Sequence, residues 1–141
     1  MIWLLPWDSH HGVRHWPWVT WALMAANVVV FALMPGDAAQ QEAFFRQYGL
    51  VAGEWHGYQF ITGAFVHGSL LHLVGNLFFL WVFGDNVEDA LGPLGFALLY
   101  VLGGLAGDLL WVHANDTLVP TIGASGCIAA VAGAYGALFF R

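Results

Sequence analysis

Four stretches of almost uninterrupted apolar residues alternate along the chain with short polar segments. Each is close to the roughly 20 residues that an α-helix needs to cross the hydrocarbon core of a bilayer. Pro35-Gly36-Asp37 ends the first stretch and Gly84-Asp85-Asn86 ends the second, because both runs are rich in turn-forming residues. The pattern predicts spans at about residues 16–34, 64–83, 94–113 and 124–140, with residues 1–15 as an N-terminal tail. We therefore expect an all-α membrane protein, a polytopic helical bundle whose transmembrane domain covers residues 16–141.

Composition supports the same class and excludes others. Of 141 residues, 60% are hydrophobic and 9% are charged, whereas about 25% charged residues is usual for a soluble domain. Only 3 residues are Lys or Arg, too few to neutralise the phosphates of a nucleic acid. The single cysteine, Cys127, allows no disulfide within the chain. The expected surrounding is a lipid bilayer, and nucleic acid is not an expected partner.

The few basic residues indicate an orientation. A cytoplasmic N-terminus puts Arg14 and Arg141 inside and Arg46 outside, which satisfies the positive-inside bias by two to one. In the loop after the first span, Glu42 and Arg46 form an i,i+4 pair. The same segment has an apolar side made of Phe44, Phe45 and Tyr48. We expect residues 1–15 in the cytoplasm and a short interfacial helix in this first loop.

His72 and Asn76 lie in the second predicted span, where polar side chains are costly. A spacing of four puts them on one face of a helix, so both should point into the bundle. One interpretation is that they hydrogen-bond between helices and hold the bundle together. The other is that they are convergent donors that stabilise an oxyanion. The spacing alone leaves both interpretations open.

A serine between glycines begins the fourth span, in Gly123-Ala124-Ser125-Gly126. Glycines let another chain approach closely, and free backbone N–H groups at a helix N-terminus stabilise negative charge. Ser125 is interpreted either as a helix cap or as a hydroxyl nucleophile. With a cytoplasmic N-terminus, the second and fourth spans both run inward, so Ser125 lies at the depth of His72 and Asn76. An acyl-transfer site at that depth is geometrically feasible.

Asp108 interrupts the third span near its outer end. We interpret it as hydrogen-bonded or facing water, with a proton-relay or ion-pathway role as the alternative. Together with His72 and Asn76, that alternative would make the protein a small transporter or channel. Small residues recur at a spacing of four and indicate tight helix packing; the pairs are Gly103/Gly107, Gly126/Ala130 and Gly133/Ala137.

No metal site and no cofactor is expected. His11 and His15 have the spacing to share a helix face. Two imidazoles fall short of the three or four ligands that zinc usually takes.

Six motifs follow one another through most of the chain. They are Pro17-Trp18-Val19-Thr20, Tyr48-Gly49-Leu50-Val51, Phe65-Val66-His67-Gly68, His72-x-x-x-Asn76, the run WVFGDNVED over residues 81–89, and Gly123-Ala124-Ser125-Gly126. In this order they resemble the motifs of the bacterial rhomboid intramembrane serine proteases.

The resemblance implies a role for each site residue. Ser125 would be the nucleophile, held between Gly123 and Gly126, and its backbone N–H would form the oxyanion hole with His72 and Asn76. The substrates would be transmembrane segments of other membrane proteins, which enter from the side and unwind locally. The membrane would be the bacterial cytoplasmic membrane.

One departure from the family pattern concerns the general base. The rhomboid core has six spans, and the histidine that activates the serine lies on the sixth. The motifs here cover the first four spans, and none of the 7 histidines occupies the base's position. We therefore expect a chain that lacks spans five and six and is inactive, or nearly so, by itself. The alternative is a pseudoprotease that binds transmembrane clients without cutting them.

Overall fold

The computed structural model describes residues 16–140. In chain order its α-helices are α1 (Trp18–Ala32), α2 (Ala38–Tyr48), α3 (Gln59–Thr62), α4 (Leu70–Ala114) and α5 (Ser125–Phe139), with a 3-10 turn at Gly63–Phe65. Over this range the only extended pairing is one antiparallel bridge between Leu50 and Thr121. The expected all-α class is confirmed. The N-terminal tail, with His11 and His15, and the terminal Arg141 lie outside the described residues.

Three of these helices are strongly apolar. Within residues 16–140, α4 alone is long and apolar enough to cross a membrane, and α1 and α5 are shorter apolar helices. Their 15 residues each rise about 22 Å, less than the roughly 30 Å of a hydrocarbon core. Many large apolar side chains point outward, Leu71, Leu94 and Leu110 among them. The number of membrane crossings remains a prediction.

The longest helix, α4, has a sharp break in its middle. At Gly92 the backbone leaves the helical region, with φ 74° and ψ 164°, a conformation that favours glycine. Pro93 then begins a second helical arm, a position where its missing N–H does no harm. We call residues 70–91 the first arm and residues 93–114 the second arm.

The turn predicted at Gly84-Asp85-Asn86 does not form, because the first arm continues through these residues. The membrane boundary of the second span stays a prediction. Gly84 is a contact position and not a turn. A Cβ atom there would lie 2.9 Å from Thr20 Cγ2 of α1, so the glycine lets α1 pack closely. The predicted start at residue 64 also differs, since the first arm begins at Leu70 after Ser69, whose Oγ accepts a hydrogen bond from His72 N at 3.2 Å.

Glu88 joins the first arm to the beginning of α1. The N-cap residue of α1, Pro17, has no side chain that can cap the free N–H groups. The carboxylate of Glu88 accepts hydrogen bonds from Val19 N at 2.9 Å, Thr20 N at 2.8 Å and Thr20 Oγ1 at 2.8 Å. Glu88 is only 2% exposed, so a carboxylate from a distant part of the chain caps α1.

Small residues line the contact between the second arm and α5. Among the described residues, α4 and α5 form the most extensive helix contact. A Cβ atom at Gly103 would overlap Ala130 Cβ, and one at Gly104 would overlap Cys127 Sγ. Gly107 faces Gly126, with 3.5 Å between a Cβ at the former and Cα of the latter. The packing expected from Gly103/Gly107 and Gly126/Ala130 is confirmed. By contrast, a Cβ at Gly133 would meet nothing within 4 Å in the described part of the chain.

The first loop contains the expected short helix. In α2, Arg46 Nε lies 3.4 Å from Glu42 Oε1, and both side chains are exposed. Gln59 attaches this helix to α3, because its amide donates to Arg46 O at 3.0 Å and to Gln47 O at 3.2 Å. The bridge from Leu50 to Thr121 then joins the loop to the segment that leads into α5. The position of α2 relative to a bilayer remains a prediction.

Candidate active site

Ser125 is the first residue of α5 and is exposed. The N-cap position belongs to Ala124, which has no capping side chain, so the helix-cap interpretation of Ser125 is wrong. Just before it, Gly123 turns the chain with φ 110°, and its N–H donates to Gly63 O at 2.8 Å. Ser125 therefore lies at a helix N-terminus, and the hydrogen bond from Gly123 to Gly63 holds the segment that leads into this helix.

His72 and Asn76 lie in the first turns of α4, on the face that meets the loop before Ser125. A Cβ atom at Gly123 would lie 2.6 Å from His72 Cε1, 2.7 Å from His72 Nε2 and 3.5 Å from Asn76 Nδ2. The His72 ring thus lies against the backbone two residues before Ser125, where only glycine leaves room for it, and the Asn76 amide lies beside this position. The structure therefore brings His72 and Asn76 to the glycine that precedes the Ser125 helix.

The Asn76 amide has an unused donor at this place. Asn76 is 9% exposed, and its Nδ2 is buried with no hydrogen-bond partner in the described part of the chain. A buried polar group without a partner is unfavourable by about 1–3 kcal/mol. A donor kept in this state beside a helix N-terminus is suited to a ligand that brings an oxygen atom.

The ring of His72 is held from the side by a second histidine. The two imidazole centroids are 5.1 Å apart in an edge-to-face arrangement with His67. His67 is fully buried, and its Nδ1 lies 3.2 Å from Phe65 O. Within residues 16–140, no hydrogen bond is made by the His72 ring, so its nitrogens are available to a ligand.

A cavity of about 140 Å³ opens beside Ser125. Its walls come from the first loop, the second arm of α4 and the start of α5; they are Leu50, Gly63, Gly107, Asp108, Trp111, Thr121, Ile122, Gly123, Ser125 and Gly126. Asp108 therefore faces the same space as Ser125, which agrees with its expected place near the end of the third span.

This arrangement supplies two parts of an acyl-transfer site. Ser125 offers a hydroxyl, while the helix N-terminus, Asn76 and His72 offer donors for an oxyanion. The third part, a base for the hydroxyl, is not seen: over residues 16–140, Ser125 Oγ has no hydrogen bond to a histidine or a carboxylate. Over the same residues no three His, Cys, Asp or Glu side chains are grouped as metal ligands would be.

Sequence reasoning missed two features of this region. Glu88 was visible only as part of the run over residues 81–89, although a carboxylate in an apolar segment signals a specific partner. The shared cavity of Asp108 and Ser125 was also missed, because their separation of 17 positions crosses a loop of unknown path. The four-residue spacing of Gly103 and Gly107 was the available signal that the second arm packs on α5.

Comparison with known proteins gives one consistent result. The model of the rhomboid domain matches residues 54–141. Rhomboid protein 1, mitochondrial, of Saccharomyces cerevisiae is 32% identical over 128 residues, covering 86% of this chain and 36% of the relative. Rhomboid-like protein 11, chloroplastic, of Arabidopsis thaliana is 40% identical over 72 residues, covering 50% of this chain and 25% of the relative. Rhomboid protease GluP of Bacillus subtilis is 29% identical over 131 residues, covering 88% of this chain and 24% of the relative.

The chain thus spans between a quarter and about a third of the length of these relatives. The family match extends over more than half of the chain and includes α3, α4 and α5. The chain belongs to the rhomboid family of integral membrane proteins.

Proposed function

We propose that this chain carries the serine and the oxyanion hole of an intramembrane serine endopeptidase of the rhomboid type. Ser125 Oγ attacks the carbonyl carbon of a peptide bond in a transmembrane segment of another protein. The carbonyl oxygen becomes an oxyanion and accepts hydrogen bonds from Ser125 N–H, Asn76 Nδ2 and His72. The observation that carries the proposal is the close approach of the His72 ring, with the Asn76 amide beside it, to Gly123, two residues before Ser125.

The unused donor of Asn76 adds support. An amide that only held helices together would have its partner within the bundle, whereas Asn76 Nδ2 has none among residues 16–140. Donors that meet charge only in the transition state stabilise it selectively. The oxyanion interpretation of His72 and Asn76 therefore accounts for more than the interhelical one does.

A serine hydroxyl without a base is a weak nucleophile, and no base contacts Ser125 in the described residues. We expect residues 1–141 alone to cleave no substrate, so the proposed activity is that of the full-length protein. The same observation favours a second candidate, a pseudoprotease that binds transmembrane clients in this site. We propose the bacterial cytoplasmic membrane as its location, because the motifs resemble those of bacterial rhomboid proteases, and a cytoplasmic N-terminus, because the arginine distribution favours it.

The test uses the full-length protein in liposomes with a model transmembrane substrate and a fluorophosphonate probe for activated serines. Ser125→Ala should abolish both labelling and cleavage. His72→Ala and Asn76→Ala should each lower kcat by about 10²-fold, the effect of losing one oxyanion donor. His113→Ala and Asn115→Ala, exposed residues at the end of the second arm, serve as matched controls and should change little.

Two results would decide against the protease. Labelling that is equal in wild type and Ser125→Ala would remove Ser125 from the mechanism. A wild-type protein that binds the substrate but neither labels nor cleaves would favour the pseudoprotease.

A further inference from the structure

His67 is a buried side chain that has no part in the reaction proposed above. It lies in the short segment between the 3-10 turn and α4 and is 0% exposed. Its Nδ1 lies 3.2 Å from Phe65 O, which requires the Nδ1–H tautomer if that carbonyl is to accept a hydrogen bond. Its Nε2 is buried without a hydrogen-bond partner in the described part of the chain. An apolar side chain would fill this space without that cost, so the imidazole needs an explanation other than filling space.

The neighbouring ring of His72 has no hydrogen bond that fixes its orientation among residues 16–140. The torsion χ2 of a histidine is broad and roughly two-fold, so the surroundings decide which ring atoms face the site. A Cβ atom at Gly123 would lie 2.7 Å from His72 Nε2, which places this nitrogen beside the backbone that leads to Ser125. The His67 ring packs on the His72 ring edge to face, with 5.1 Å between centroids and 67° between planes. Packing is therefore what holds the His72 ring.

A donor to an oxyanion is effective when its orientation is fixed before the reaction begins. A His72 ring that turned about χ2 would present a carbon atom or a lone pair where the N–H is needed, and the hydrogen bond would be lost. His72 is only partly buried, so burial alone does not prevent this rotation. The His67 ring is itself held by full burial and by the Phe65 carbonyl, and it gives His72 a fixed surface to pack on.

From these observations we propose that His67 is a positioning residue of the oxyanion hole. Its ring restrains the His72 imidazole in the orientation that donates to the oxyanion, and the hydrogen bond to Phe65 O restrains the His67 ring in turn. The part of His67 that matters for the reaction is the ring surface that packs on His72. This inference rests on the proposed protease function and adds a residue to the machinery of the same site.

The experiment measures kcat and KM of the full-length protein in liposomes with one model transmembrane substrate. His67→Asn keeps a polar donor near Phe65 O but removes the ring, and His67→Leu fills a similar volume without a ring. Both should lower kcat about ten- to hundredfold, approaching the loss of the donor itself, with KM unchanged. His67→Phe restores an aromatic ring without the hydrogen bond and should retain most of the wild-type kcat. The matched control is His56→Asn, which removes an exposed imidazole of the first loop and should leave kcat unchanged.

A double-mutant cycle shows whether His67 acts through His72. In the His72→Ala protein the ring to be positioned is gone, so His67→Leu should lower kcat no further. In the Asn76→Ala protein His72 is still present, so the same substitution should lower kcat by its full factor. A residue that only stabilises the fold would lower kcat by the same factor in both proteins. Thermal unfolding in detergent reports whether each variant is folded.

The outcomes separate this proposal from the protease itself. A wild-type protein that cleaves, with kcat unchanged in His67→Asn and His67→Leu, overturns the positioning role and leaves the protease intact. An equal loss of kcat from His67→Leu with and without His72 also overturns it, because His67 then acts on the fold. A loss in His67→Phe as large as that in His67→Leu does the same, because the ring is then not what matters. A wild-type protein that neither labels nor cleaves removes the protease, and the role of His67 with it.

Discussion

At Gly123 the backbone has φ 110° and passes directly against the His72 ring, with the Asn76 amide nearby. Two requirements meet at this residue. The left-handed conformation disfavours any residue with a Cβ atom, and the same Cβ would overlap the imidazole. The glycine before Ser125 is therefore needed both for the turn into α5 and for the approach of the two donors.

Gly123→Ala should for this reason damage the site more than the fold. We expect loss of most fluorophosphonate labelling, because the added methyl group displaces His72 or rotates the loop that carries Ser125. The destabilisation should be about 1–2 kcal/mol, the range for a non-glycine residue in the left-handed region. The measurements are labelling rate and thermal unfolding of the full-length protein in detergent.

Gly53→Ala is the matched control for that substitution. Gly53 also has a left-handed backbone, with φ 81°, but a Cβ atom there would meet nothing within 4 Å among residues 16–140. Labelling should be nearly unchanged. If Gly123→Ala labelled as fast as Gly53→Ala, the importance assigned to the approach of His72 would be wrong.

Among the helices, α1 is capped at its N-terminus by a residue far away in the sequence. Its N-terminal N–H groups are satisfied by Glu88, 68 positions from Thr20, and Gly84 lets the two helices approach. A carboxylate near a helix N-terminus also interacts favourably with the helix dipole. One buried side chain therefore supplies the hydrogen bonds that attach the start of α1 to the first arm of α4.

Glu88→Gln should loosen this attachment. The amide keeps one oxygen acceptor but turns an NH₂ group towards a site built for an acceptor, so we expect a loss of about 1–3 kcal/mol in unfolding free energy. Thermal unfolding in detergent measures it, with Glu54→Gln at an exposed position as the matched control. A Glu88→Gln protein as stable as the Glu54→Gln protein would contradict the capping role.

The apolar pattern located α1 and α5 to within about two residues. Each of these helices is one uninterrupted apolar run, so the ends of the run predict the ends of the helix. The same pattern predicted a turn at Gly84, Asp85 and Asn86 that does not form, because these residue types favour turns wherever only local sequence is considered. Gly84 is explained by Thr20 and the neighbouring Glu88 by the start of α1, and these partners cannot be known before the fold is. Gly92-Pro93 is also a turn-forming pair and marks the real break in α4. Gly84 to Asn86 is a similar turn-forming run eight positions earlier, so the local sequence could not show which of the two ends the helix.

The position of each site residue on its own helix was predictable from the sequence, whereas the contacts between residues of different helices were not. His72 and Asn76 share a helix face by spacing alone, and Ser125 begins a helix as its glycines suggest. The approach of His72 and Asn76 to Gly123 depends on how α5 lies against both arms of α4. The cavity shared by Asp108 and Ser125 depends on the same packing. That geometry follows from long-range packing, which no local pattern contains.

In the molecule as a whole, the break in α4 separates two arms, and each arm positions a different part of the candidate site. The first arm carries His72 and Asn76, and the second arm holds α5, whose first residue is Ser125. The core of the bundle joins these parts through buried residues of both arms and α5, among them Leu80, Phe96 and Val131. The distance between nucleophile and donors therefore depends on the contact of the second arm with α5 as well as on this shared core.

Gly103→Ala tests this dependence away from the site. Its Cβ would overlap Ala130 Cβ, so α5 must move away from the second arm, and Ser125 moves with it. We expect lower fluorophosphonate labelling together with a loss of about 1–3 kcal/mol in stability, typical of overpacking. Gly133→Ala on α5 is the matched control, because its Cβ meets nothing within 4 Å among residues 16–140 and alanine favours a helix. Full labelling in Gly103→Ala would mean that the second arm does not set the position of Ser125.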